Sequence, residues 1–134
     1  MESLIDSSIW IDSFRPSTPA LIRRVAHDAI NRATAVICEP IWFELLRLAA
    51  KSDRKRVETT LNTIPILHTP ADLWRKATGF GQQCKDSGVQ ASFADLLIGT
   101  ICLHHSAVMV SFDKHFLSLA KIIGFKVELL ARPA

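Results

Sequence analysis

The stretch LIDSSIWID, residues 4–12, places Asp6 directly after a short apolar segment. The pattern SLID at residues 3–6 predicts a short buried strand that ends at this acid. A carboxylate buried without a partner costs several kcal/mol or becomes protonated. The stretch therefore predicts a core strand whose carboxyl end carries an acid in need of a compensating group.

Apolar segments and amphipathic segments alternate along the rest of the chain. Four further strands are predicted at residues 34–38 (TAVIC), 64–67 (IPIL), 107–111 (AVMVS) and 125–130 (FKVELL). Helices are predicted at residues 18–31, 40–51, 70–87, 93–105 and 113–122. A further helix is predicted to follow a charged turn that starts at Ser52 and Asp53 and to end near Leu61. This alternation predicts an α/β fold, a three-layer α/β/α sandwich around a five-stranded parallel sheet with right-handed crossovers.

Local signals set the expected helix ends. We expect Thr18 to cap the first predicted helix, with Pro19 at its first position. Ser92 is expected to cap the helix that follows it, and Gly88 to stop the helix before it. The apolar face of the first predicted helix comprises Leu21, Ile22, Val25 and Ala29. That of the helix opened by Pro40 comprises Ile41, Leu45, Leu48 and Ala49.

Length and composition predict one globular domain over residues 1–134. Apolar residues make up 49% and charged residues 22%, which excludes a disordered chain. The acidic N-terminus and the absence of a long apolar run predict a cytoplasmic protein with no membrane segment. Cys38, Cys84 and Cys102 lack the close spacing of zinc or redox motifs, so free buried thiols are expected.

The chain is mildly basic, with a formal net charge of +3 and a pI of about 9.0. This balance favours a polyanionic partner without requiring one. Five basic residues cluster within ten positions, where solvated helix ends are the simpler interpretation and phosphate contacts the alternative. They are Arg47, Lys51, Arg54, Lys55 and Arg56.

Four acids are predicted to meet at one edge of the sheet. Asp6 ends the first strand, and Asp113 follows the fourth strand by two residues. Asp95 lies in the first turn of the helix capped by Ser92, and Glu44 lies about one turn into the helix after the second strand. Ligands of parallel sheets bind outside the carboxyl ends of the strands, where these helices begin.

Each acid also has a purely structural interpretation. Asp95 could complete a capping box with Ser92, and Asp113 could cap its own helix. Asp6 and Glu44 interrupt apolar segments, so helix capping explains them less well. A cluster of carboxylates without cysteine or histidine suits Mg²⁺ or Mn²⁺, which can activate water for phosphodiester hydrolysis.

Four segments resemble, in order, the signature blocks of PIN-domain nucleases. They are LIDSSIWID (4–12), PIWFEL (40–45), SFADLLIG (92–99) and SFDKHF (111–116). Within that family the chain is most similar to the VapC-type toxins of bacterial toxin–antitoxin pairs. The resemblance implies a sheet order of 3-2-1-4-5 and an endoribonuclease that hydrolyses RNA. It also implies a cognate antitoxin and a homodimer.

The resemblance implies roles for individual residues as well. Asp6, Asp95 and Asp113 would bind the metal, with Glu44 as a further ligand or a group that positions water. Ser8 and Ser111 would orient the acids without binding the metal themselves. Two residues depart from the family pattern: His115 stands where many relatives carry a further acid, and Gly99 stands where alanine is usual.

Other polar residues carry weaker signals. Asp12 is expected to be a helix-surface acid, and His104 and His105 to be structural residues at a helix end. For His115 a solvated helix position is favoured over contact with a substrate phosphate. The tryptophans are expected in the core or in an interface rather than stacked on bases; they are Trp10, Trp42 and Trp74.

Two other function classes stay open. A non-catalytic PIN-like module would bind RNA or protein and use the acids only as helix caps. A metal-dependent phosphatase on another α/β fold would carry a Gly-rich phosphate loop or a DxD motif, and the sequence has neither.

Overall fold

Five short strands and seven helices alternate in the computed structural model, which describes all 134 residues. The strands are β1 (Ser3–Ile5), β2 (Ala35–Cys38), β3 (Ile66–Leu67), β4 (Val108–Ser111) and β5 (Lys126–Leu129). The helices are α1 (Ser7–Phe14), α2 (Ala20–Ile30), α3 (Glu39–Leu48), α4 (Arg54–Leu61), α5 (Leu73–Asp86), α6 (Phe93–His104) and α7 (His115–Ile123).

All strand pairs are parallel, and the sheet order is β3-β2-β1-β4-β5. Leu4 of β1 pairs with Val36 on one side and with Met109 on the other, and all three are buried. The predicted α/β sandwich and the implied strand order are confirmed. Because the connections leave β1 and β4 in opposite directions, the carboxyl ends of these two neighbours form the topological switch point.

A single cluster of 30 buried apolar residues surrounds the sheet. Trp10 of α1 and Phe116 of α7 are its largest fully buried side chains. Burying such a side chain contributes about 1.5–3 kcal/mol, so both helices are firmly held against the strands they follow. None of the seven helices has the length and apolarity that crossing a bilayer requires.

The helix α1 is a feature that the sequence interpretation missed. Asp6 caps it by accepting a hydrogen bond from the backbone N–H of Ser8, at 3.3 Å, and the helix buries Ile9 and Trp10. Eight residues give too few turns for a clear 3.6-residue period, and the serines there favour turns as much as helix starts. The acid at the end of β1 therefore also starts a helix.

The start of α2 differs from the prediction. The helix begins at Ala20 with Pro19 as its N-cap, and Thr18 makes no capping hydrogen bond. Its fully buried residues are Ala26 and Ala29, whereas Leu21 is 55% exposed, so its assignment to the buried face was wrong. Pro19 holds an extended backbone with ψ of 144°, which turns Leu21 away from the sheet.

The helix α3 is shorter than predicted. It ends at Leu48 because Ala49 adopts an extended conformation with ψ of 135°, and Leu48 is 59% exposed rather than buried. The strand β3 is also shorter, with two residues. Pro65 precedes it and donates no hydrogen bond, although its carbonyl oxygen accepts one from Ile37 N–H at 3.0 Å.

The predictions for Ser92, Gly88 and the cysteines agree with the structure, whereas α5 and α7 start later than predicted, at Leu73 and His115. Ser92 caps α6 by accepting a hydrogen bond from Asp95 N–H at 3.1 Å, and Gly88 follows α5 with a positive φ of 71°. All three cysteines are free and buried. Burial raises the pKa of Cys38 and of Cys102 to about 12, so both thiols stay protonated at neutral pH.

Candidate active site

Asp6 is the most deeply held acid of the chain, with 4% of its surface exposed. Its Oδ2 atom accepts hydrogen bonds from Ser8 Oγ at 2.8 Å and from Ser111 Oγ at 2.7 Å. Its Oδ1 atom has only a long contact with Ser7 Oγ, at 3.5 Å. One oxygen is therefore fixed by the protein while the other keeps lone pairs for a cation or a water molecule.

The two serines also tie together the ends of β1 and β4. Ser111 is fully buried, and its Oγ accepts a hydrogen bond from Asp113 N–H at 2.9 Å. Ser8 Oγ lies 3.3 Å from Phe112 N and accepts its hydrogen. The contacts that the resemblance implied for Ser8 and Ser111 are thus present, and both residues lie behind the Asp6 carboxylate.

Asp95 lies in the first turn of α6, and its side chain is 25% exposed. Burial raises its pKa above the usual value; the neighbouring charges of Asp6 and Asp113 raise it further, whereas Ser92 and His115 lower it. Asp95 is therefore within electrostatic range of both Asp6 and Asp113. Three carboxylates in one place repel each other, so a bound cation would stabilise their charged forms.

Asp113 is exposed and lies two residues before α7. Its Oδ1 atom accepts a hydrogen bond from His115 N–H at 2.9 Å, and its backbone oxygen accepts one from Phe116 N–H at 3.3 Å. Asp113 thus holds the backbone at the start of the helix, but the N-cap residue is Lys114 and not Asp113 as considered from the sequence. The contact with His115 uses one carboxylate oxygen of Asp113, and the other accepts no hydrogen bond from the chain.

Glu44 is not brought into contact with the other acids. It is half-buried on α3 and makes no hydrogen bond or ion pair. It borders a groove of about 580 Å³ whose wall includes Ala94 and Leu97 of α6, the helix that carries Asp95. The role of Glu44 as a ligand stays a prediction.

His115 is the residue whose position the sequence interpretation placed wrongly. Its Nε2 atom lies 3.1 Å from Asp95 Oδ2, and the ring is about two-thirds buried rather than solvated. No local spacing could reveal this contact, because α6 and α7 are joined through β4. His115 therefore lies beside an acid of the candidate site, at the position where the resemblance implied a further acid.

A cavity of about 850 Å³ opens beside this pair, between the end of α5 and the start of α6. Ser92, Asp95 and His115 line it together with Lys85 and Gln90. A lysine in the wall of such a cavity can contact an anionic substrate.

Asp12 and the basic cluster lie outside the acidic site. Asp12 of α1 accepts a hydrogen bond from Arg132 Nε at 3.0 Å, which satisfies its charge. Arg56 pairs with Asp53 at 3.5 Å, and its guanidinium lies 5.5 Å from the ring centroid of Phe14. The structure thus gives Arg56 the structural role that was favoured for this cluster.

The donor chemistry of the site fits a hard divalent cation. Asp6, Asp95 and Asp113 offer only carboxylate oxygens, and Asp6 Oδ1 is free of strong donors. Mg²⁺ and Mn²⁺ prefer such ligands and keep several water molecules. The Nε2 atom of His115 lies 3.1 Å from a carboxylate oxygen of Asp95, which suits a supporting residue better than a metal ligand.

The sequence profile of the PIN domain matches residues 3–122. The chain therefore belongs to the PIN-domain family. No curated protein sequence matches it significantly.

Several solved toxin–antitoxin complexes contain a chain of similar fold. The DNA-bound VapBC complex of Salmonella typhimurium matches with a TM-score of 0.74 and 17% identity, over 96% of this chain and 97% of that one. VapBC2 of Rickettsia felis, bound to a promoter DNA fragment, matches with a TM-score of 0.73 and 16% identity, over 97% of this chain and 99% of that one. A toxin–antitoxin complex of Klebsiella pneumoniae matches with a TM-score of 0.68 and 23% identity, over 86% of this chain and 90% of that one.

Proposed function

We propose that the chain is a single-domain, metal-dependent endoribonuclease that acts as the toxin of a bacterial toxin–antitoxin pair in the cytoplasm. The proposal is supported chiefly by the position of Asp6 and Asp113 after the neighbouring strands β1 and β4, together with the influence of both charges on the pKa of Asp95. Family membership and the fold shared with toxin–antitoxin complexes support it.

Asp6, Asp95 and Asp113 would hold Mg²⁺ or Mn²⁺, with Glu44 as a further ligand or as the group that positions water. The bound ion would supply a nucleophilic water near neutral pH and stabilise the leaving oxygen of the phosphodiester. The two serines hold one oxygen of Asp6 still, so its free Oδ1 points in a fixed direction. A fixed carboxylate avoids reorganisation during the reaction.

His115 would keep Asp95 oriented toward the same point, through the 3.1 Å contact of its Nε2 atom with Oδ2. The cavity beside the pair would receive the RNA backbone, and Lys85 on its wall would offset one phosphate charge. Such backbone contacts bind RNA without reading its sequence.

The antitoxin partner is proposed from family likeness and from one surface. The groove beside Glu44 is apolar, and three aromatic residues on its wall are 60–68% exposed. They are Phe43, Trp74 and Phe93. An antitoxin segment in this groove would cover these aromatic residues and reach the acids with a basic side chain. From the family likeness alone, the toxin would also form a homodimer.

The deciding experiment is cleavage of total bacterial RNA by the purified, antitoxin-free chain with Mg²⁺, with Mn²⁺ and with EDTA. The test variant is D6N/D95N. The matched control is D28N/D86N, which also removes two charges but from exposed positions on α2 and α5. Circular dichroism establishes that each variant is folded.

Discrete fragments that require the metal, vanish in D6N/D95N and persist in D28N/D86N are the expected result. Folded wild-type protein that binds RNA but cleaves none with either ion would instead indicate a non-catalytic binding module. Release of phosphate from a small phosphomonoester, with RNA left intact, would indicate a phosphatase.

A further inference from the structure

One histidine from the segment after β3 meets two consecutive histidines at the end of α6 on the surface of the fold. His104 is the last residue of α6, His105 follows it as the C-cap, and His68 comes directly after β3. One ring nitrogen of each lies within 4.8 Å of the others. His68 and His105 are 37 positions apart in sequence, so only the fold creates the cluster.

The rings approach each other edge to face. The centroid of His68 lies 4.4 Å from that of His105 and 5.6 Å from that of His104, and the planes are inclined by 79° and 85°. His104 and His105 lie 5.0 Å apart at 78°. The three rings therefore lie close together without stacking.

One hydrogen bond already selects a tautomer. The Nε2 atom of His105 lies 2.8 Å from the backbone oxygen of His68. A carbonyl oxygen only accepts, so Nε2 carries the hydrogen and Nδ1 keeps its lone pair. Histidines that bind metals commonly donate their other ring N–H to a carbonyl in this way, which fixes the ring and strengthens the ligand.

The surroundings also favour a cation. The last carbonyls of α6 give this end of the helix a partial negative charge, which stabilises a positive ion nearby. None of the three histidines forms a salt bridge. His68 and His104 are exposed, so an ion reaches the rings from solvent and small ring rotations can close the spacing.

We propose that His68, His104 and His105 bind one divalent transition-metal ion, with Zn²⁺ as the expected occupant and water as its fourth ligand. Three imidazole nitrogens suit Zn²⁺, with bonds of about 2.0–2.1 Å, and do not suit Mg²⁺. The ion would join the segment after β3 to the end of α6 and stabilise the folded state. The proposal does not depend on the nuclease function, since it uses different residues and a different kind of ligand.

The test titrates the full-length chain, first freed of metal with a chelator, with Zn²⁺ against a competing indicator. Co²⁺ is used in parallel because its visible spectrum reports nitrogen ligands and tetrahedral geometry. All measurements are made in the D6N/D95N background as well as in wild type, so that the acidic site does not contribute. H68Q and the triple variant H68Q/H104Q/H105Q remove ligands, and H27Q changes an exposed histidine of α2 as the matched control.

One equivalent of Zn²⁺ is expected in wild type, in H27Q and in D6N/D95N, together with a rise in Tm. H68Q should bind at least tenfold more weakly, and the triple variant should lose both the Co²⁺ spectrum and the rise in Tm. Equal binding by wild type and the folded triple variant would overturn the proposal. So would the absence of Zn²⁺ binding at micromolar concentrations, or binding that disappears only in D6N/D95N.

Discussion

The Nε2 atom of His115 lies 3.1 Å from Asp95 Oδ2, while the backbone N–H of the same residue donates to Asp113 Oδ1 at 2.9 Å. One residue therefore contacts two of the three clustered aspartates. We therefore expect His115 to position both acids rather than to bind the metal.

Replacing His115 by alanine should lower metal-dependent RNA cleavage by about 10–100-fold, the effect typical of losing a hydrogen-bond partner of a metal ligand. H115Q keeps a donor at a similar distance and should retain more activity than H115A. The measurement is the cleavage rate as a function of Mn²⁺ concentration. H115A should need more Mn²⁺ for half-maximal activity, and an unchanged requirement would exclude the positioning role.

The S111A variant tests how Asp6 is held. It removes the 2.7 Å hydrogen bond to Asp6 Oδ2 and the acceptor of Asp113 N–H, both in a fully buried place. Loss of a hydrogen-bond donor to the buried carboxylate should lower the free energy of unfolding by about 1–3 kcal/mol and slow RNA cleavage. Urea unfolding and the cleavage assay measure the two effects.

A threonine at this position keeps the hydroxyl group, so S111T should be closer to wild type than S111A in both measurements. The exposed Ser52 is the control, since S52A removes a hydroxyl that makes no hydrogen bond. If S111A and S52A behave alike, the serine does not orient Asp6.

The strands and the acids at their ends were predictable from the sequence, because parallel strands buried on both faces are continuous apolar segments. Asp6 and Asp113 stand out directly after such segments. The contact between His115 and Asp95 was not predictable, since it joins two helices across a strand and leaves no periodic pattern. The cluster of His68 with His104 and His105 escaped for the same reason.

Local errors have equally specific causes. The eight residues of α1 are too few to show a helical period, although Asp6 is a good capping residue. The exposed Leu21 and Leu48 show that an apolar residue near a helix end can lie outside the buried face. Where a strong capping signal stood beside a long periodic segment, as at Ser92, the predicted helix start agrees with the structure.

The ion pair of Arg32 and Glu128 should make stability depend on pH. The guanidinium donates to both carboxylate oxygens, at 2.9 and 2.6 Å, and this hydrogen bonding lowers the pKa of Glu128 below its usual 4.5. Because this pKa is lowered, the stabilisation by the Arg32–Glu128 pair is present above about pH 4.5. It is lost as the pH falls through the folded-state pKa of Glu128.

E128Q should therefore unfold at a lower urea concentration than wild type at pH 7. Its free energy of unfolding should be lower by only about 0.5–1 kcal/mol, because both side chains are partly exposed. The difference should shrink below pH 4.5 and close as the pH falls through the lowered pKa of Glu128. D72N is the comparison, since it removes a single 3.4 Å contact with Lys76 between side chains that are about half exposed. A gap between E128Q and wild type that stays constant down to pH 3 would contradict this account.

Gly99 departs from the alanine that the family resemblance implied, and the packing explains why. A Cβ atom at this position of α6 would lie 2.8 Å from Phe125 Cε1 and 3.1 Å from Ile123 Cδ1, both in buried side chains. G99A should therefore destabilise the fold by about 1–3 kcal/mol through overpacking. Gly79 in α5 offers the opposite case, since nothing lies within 4 Å of its Cβ position.

G79A should stabilise the protein by about 0.5–1 kcal/mol, because alanine favours a helix interior over glycine and meets no obstacle there. Opposite changes in Tm for the same substitution in two helices would identify packing against Phe125 as the cause. The double variant G99A/F125L provides the internal check. A smaller aliphatic side chain at position 125 should relieve the contact and recover part of the loss, whereas no recovery would mean that G99A acts through the helix backbone.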